Sequence, residues 1–113
     1  MDSTTYSASI HAYLQYSTDD LLFLLVPEEE RHSINSKLSR GINIYNQLLK
    51  RVKNSLRNIT FENDKSVDAI FDIALVYAPI IAEKIGSPTI VPVLAILFAR
   101  YGLKEITANK RDE

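Results

Sequence analysis

From Val67 to Tyr101 the chain reads VDAIFDIALVYAPIIAEKIGSPTIVPVLAILFARY, and between Ile73 and Ala99 its only charged residues are Glu83 and Lys84. Gly86, Ser87 and Pro88 follow directly, a turn signal between two apolar runs. The stretch therefore predicts two helical arms folded back on each other. It also dictates what the remainder of the chain must supply, because a helix that is apolar nearly all round has to be covered on several sides.

In the first arm Val67, Ile70, Phe71, Ala74, Tyr77, Ala78, Ile81 and Ile85 fall on one stripe, while Ile73, Val76 and Ile80 spread over much of the rest. Asp68, Asp72 and Glu83 leave a narrow polar line. Ser66 is placed to cap this arm. Pro79 lies inside it without the N–H that would bond the Leu75 carbonyl, so a kink or a split is expected there. Gly86 suits a left-handed end to the arm, and Ser87-Pro88 an N-cap and first residue for the next. Pro92 pushes the regular start of the second arm to Ile90 or Val91. Ile90, Val93, Leu94, Leu97 and Phe98 carry its apolar surface, and Arg100 and Gly102 mark its end.

A core, an oligomer or lipid can supply that cover, and the chain's own contribution lies in the first 66 residues. Residues 1 to 16 fit a strand or a helix by period; with no second strand to pair with, they are expected to form a helix or a loosely ordered arm. Ser17 and the carboxylates of Asp19 and Asp20 precede an apolar run, Leu21 to Val26, as at a helix N-terminus. Pro27 ends that short helix and suits the first position of a long one running to about Arg57. Glu28, Glu29 and Glu30 near its start and Lys50, Arg51, Lys53 and Arg57 near its end complement the helix dipole. Ile34, Leu38, Gly41, Tyr45, Leu48, Val52 and Ser55 or Leu56 form its seam, widened by Ile42, Ile44 and Leu49, with Gly41 read as a tolerated interruption. Asn58 to Lys65 is a polar connector with Phe61 turned inward. Leu103 and Ile106 are expected to fold back onto the core, and 108–113 to be a solvated tail.

The expected fold is all-α: a single helical domain, 1–113, forming a small bundle of about four helices in which one long central helix is packed by the C-terminal apolar hairpin. A chain of 113 residues buries roughly 65% of its unfolded surface, enough for one core.

Chemistry is sparse. Asp68 and Asp72 are four apart on one face, but no matching carboxylate cluster accompanies them, so an exposed acidic stripe is the simpler account. His11 and His32 lack the spacing of a metal motif. Three isolated glycines make no phosphate loop, and no nucleophile motif is present. Neither an enzyme nor a cofactor is expected. The chain has no cysteine, which excludes disulfides and suits a reducing, cytoplasmic setting. The first sixteen residues lack the basic and continuous apolar regions of a secretory signal.

Charge is uneven. Residues 27 to 58 hold seven basic and three acidic side chains, while the net charge of the chain is -1. Lys50, Arg51, Lys53 and Arg57 offer a basic edge to phosphate, but the helix dipole already accounts for cations there and no aromatic stacking set accompanies them, so nucleic acid is not the expected partner. Two functions remain. The first is a non-enzymatic helical protein–protein interaction module, an adaptor or a self-associating unit whose surplus apolar surface a partner covers. The alternative is a membrane-active protein, peripheral or with the hairpin in lipid. Against spanning, the second arm has fifteen uncharged residues and the first has ten between Asp72 and Glu83, short of the roughly 20 a bilayer requires.

Overall fold

A computed structural model describes residues 4–27, 34–59 and 66–106, and among these every regular element is helical. The elements are α1 (Thr4–Tyr13), α2 (Thr18–Leu25), α3 (Ile34–Leu56), α4 (Val67–Lys84) and α5 (Ile90–Tyr101). The N-terminal stretch thus contains a helix, and the described residues form five helices. Glu28, Glu29, Glu30, His32, Phe61 and the 108–113 tail lie outside the described residues.

The C-terminal hairpin forms as α4 packed on α5. From Val91 to Ala99 all nine residues of α5 are buried. Such a helix has no solvent face, so the bundle has to surround it: α1, α2 and α4 pack directly on it. From α3, the Tyr45 ring reaches Phe98 at 5.5 Å between centroids. Each fully buried Leu, Ile, Val or Phe contributes about 1.5–3 kcal/mol. This helix alone supplies a large part of the driving force.

Local signals set three of the helix ends. The Ser17 hydroxyl accepts the Asp20 N–H at 3.1 Å, and the Ser66 hydroxyl accepts the Ala69 N–H at 3.2 Å. At the end of α5 the N–H groups of Gly102 and Leu103 both return to the Phe98 carbonyl, with φ values of 61° and 64°. Glycine adopts that conformation freely; leucine does so at a cost of about 1–2 kcal/mol. Burial of Leu103 and Ile106 offsets it.

Four local expectations need correction. Of the kink or split expected at Pro79 the split does not occur, since α4 runs through it to Lys84. Gly86 is not left-handed: α4 ends on extended Ile85, and Ser87 to Thr89 form a turn ahead of α5 in which the Ser87 carbonyl accepts the N–H groups of Ile90 and Val91. Pro27 is not helical, and the described part of the long helix begins at Ile34. Val67, placed by period in the buried stripe, is 66% exposed.

Gly41 does more than interrupt α3. A Cβ there would stand 2.5 Å from the Leu22 carbonyl oxygen. Only a glycine lets α3 approach α2 this closely. Around that contact Ile42, Tyr45, Leu49, Val52 and Leu56 turn inward.

Candidate interaction surfaces

The end of α1 lies along the start of α4, and the two do not close on each other. Between them His11, Leu14, Gln15, Val67, Asp68 and Phe71 line a cleft of about 510 Å³. A smaller recess of about 330 Å³, lined by Leu14, Val67, Ile70 and Arg100, shares two of those walls. Leu14 and Phe71 are half-buried, while His11, Gln15 and Asp68 form an exposed polar rim. The His11 ring meets Phe71 edge-on, 6.0 Å between centroids. Val67 is exposed because its neighbours Leu14 and Arg100 enclose a recess here instead of a packed contact.

Arg100 forms the inner wall and organises this corner. Its guanidinium donates to the Leu14 carbonyl at 3.2 Å, the Tyr16 carbonyl at 3.0 Å and the Thr18 hydroxyl at 3.4 Å. It therefore closes the end of α1 and fixes the turn into α2. Burial lowers its pKa from the ordinary arginine value, with Tyr101 acting in the opposite sense. A planar fork of donors suits three acceptors at once.

On the far side, α3 holds the C-terminal segment. The Asn46 side chain donates to the Ile106 carbonyl at 2.9 Å and accepts the Ile106 N–H at 3.0 Å. The Tyr45 hydroxyl donates to the Lys104 carbonyl at 2.9 Å. Burial, with a smaller contribution from Tyr101, pushes that hydroxyl well above the usual tyrosine range and keeps it a neutral donor.

The basic residues singled out in the sequence are all exposed on α3 and the turn after it. Arg51 donates to the Lys84 carbonyl at 3.0 Å, closing the end of α4, and Arg57 contacts the Asn54 side chain at 3.5 Å. Lys50 and Lys53 point outward. The hairpin residues are placed differently: Ile73, Tyr77, Val93, Leu94, Leu97 and Phe98 are core, Ile80 and Ile90 are half-buried, and Val76 is 43% exposed. The surplus apolar surface of the hairpin is thus covered largely within the chain. Among the described residues no helix is long and apolar enough to cross a membrane. Asp68 lines the cleft and Asp72 is exposed beyond it, and no group of three or more His, Cys, Asp or Glu converges among the described residues.

Sequence reasoning did not find the cleft, Arg100's partners or Asn46. Period marks which face is apolar, but not whether a neighbour fills the end of the stripe. No protein-family model, curated protein or solved structure matches the chain.

Proposed function

We propose that the chain is a non-enzymatic helical interaction module, an adaptor or a self-associating unit, that presents the α1–α4 cleft to an apolar side chain of a protein partner. The observation that carries this reading is Val67, 66% exposed beside half-buried Leu14 and Phe71. An apolar recess with a polar rim of His11, Gln15 and Asp68 has the anatomy of a small anchor pocket. The setting is cytoplasmic, in keeping with a chain free of cysteine.

The test uses Val67→Asp. The residue is the first of α4, where a carboxylate favours the helix, so the variant should fold. Sedimentation velocity at micromolar and millimolar protein reads self-association. A photo-crosslinker at exposed Gln15 reads a second protein. Association or capture that is lost in Val67→Asp supports the proposal. A monomer without capture, or behaviour equal in the two proteins, contradicts it.

A further inference from the structure

The 23 residues of α3 include five cations, Lys37, Arg40, Lys50, Arg51 and Lys53, and no acidic residue. Every exposed residue from 39 to 58 is Ser, Arg, Lys, Asn or Gln. From residue 38 onward no apolar residue of the helix is exposed, and the outer face consists of cations, carboxamides and Ser39. Asn43, Gln47, Lys50, Asn54 and Arg57 recur at spacings of three and four along it, with Lys53 at one flank. The net charge of the whole chain is -1, so this positive face is offset elsewhere in the molecule. The Lys84 and Lys104 carbonyls accept from Arg51 and Tyr45 of α3, and each of these lysines has a glutamate, Glu83 or Glu105, next to it in the chain.

The helix dipole, a sufficient reason for these cations on the sequence alone, accounts for only part of the face. It acts within the last turn, which contains Lys53 but not Lys50. Arg51 spends one bond on the end of α4, and a guanidinium has five donors.

We infer that the exposed face of α3 is a binding site for double-stranded DNA. Four clustered cations from Lys50 to Arg57 call for a polyanion, and the rest of the face selects among polyanions. Among its described residues it exposes no aromatic ring on which the bases of a single strand could stack. Among the same residues it exposes no apolar side chain to enter a lipid interface. Carboxamides between the cations pair with phosphate, sugar and base edges, the usual inventory of duplex contacts. The major groove of B-form DNA admits a helix. The narrow major groove of duplex RNA does not.

The experiment is fluorescence anisotropy of a short labelled DNA duplex titrated with the full chain over a range of salt. Binding at low salt should weaken with a log–log slope of about -3 to -4, at about -0.9 per phosphate met. The triple variant Lys50→Glu, Lys53→Glu, Arg57→Glu should lose at least about tenfold in affinity and most of the slope. Arg51 is left in place because it closes α4. If circular dichroism shows the triple variant unfolded, the corresponding glutamine variants are used. The inference is overturned by no binding at low salt, by equal binding of wild type and variant, by tighter binding to a single strand, or by binding to phosphatidylserine vesicles in place of DNA.

Discussion

Gly41 shows how one residue can set the distance between two helices. Alanine has a helix propensity about 1 kcal/mol better than glycine, so on α3 alone Gly41→Ala should stabilise. The added Cβ would instead press on the Leu22 carbonyl from 2.5 Å, and crowding in a packed contact costs about 1–3 kcal/mol, more when backbone has to move. Gly41→Ala is therefore expected to lower the melting temperature by several degrees, read by calorimetry; an unchanged or higher value would show that α2 and α3 do not meet here. In the sequence this glycine looks like a tolerated interruption, because a close approach depends on which helix crosses it. Ser17 and Ser66 were legible for the opposite reason: each caps a helix three residues away, and the whole interaction lies within one turn.

Among the elements, α5 is the most completely enclosed, and its content was visible in the fifteen uncharged residues from Ile85 to Ala99. What encloses it was not. The surrounding helices are joined by long-range polar contacts, Arg100 to the α1–α2 turn and Asn46 to Ile106, and these link residues about 60 to 86 positions apart in the chain. The Asn46 pair predicts a specific outcome. Asn46→Asp keeps the acceptor for the Ile106 N–H but sets a carboxylate against the Ile106 carbonyl. The loss of one bond and the repulsion should loosen the segment by about 1–3 kcal/mol. Trypsin should then cut after Lys104 several-fold faster than in wild type, and an equal rate would mean that Asn46 does not hold the segment. The same reasoning explains the error at Gly86. A glycine after a helix invites a left-handed cap, but here extended Ile85 ends α4 and the Ser87 carbonyl receives the first N–H groups of α5.

At the scale of the molecule, apolar surface and charge are sorted to different places. The hairpin that dominates the sequence is largely interior, and what faces outward is an apolar cleft between α1 and α4 and a basic, acid-free face along α3. All-helical architecture, the hairpin and the inward faces of most helices were readable from period and composition. The cleft was not, because it exists only where α1 stops short of filling the start of α4. The hairpin's burial also bears on the membrane-active alternative weighed from the sequence. To reach lipid, α5 would have to leave α1, α2 and α4 together, exposing nine buried residues; a module that binds through its outer surface needs no such opening.

Hydrogen exchange followed by mass spectrometry, with and without anionic vesicles, tests that point most directly. The account predicts that the amides of Val93 to Ala99 exchange last in the chain, through global unfolding only, and that vesicles leave them unchanged. Exchange in α5 as fast as in α1, or a change in α5 on adding vesicles, would contradict it.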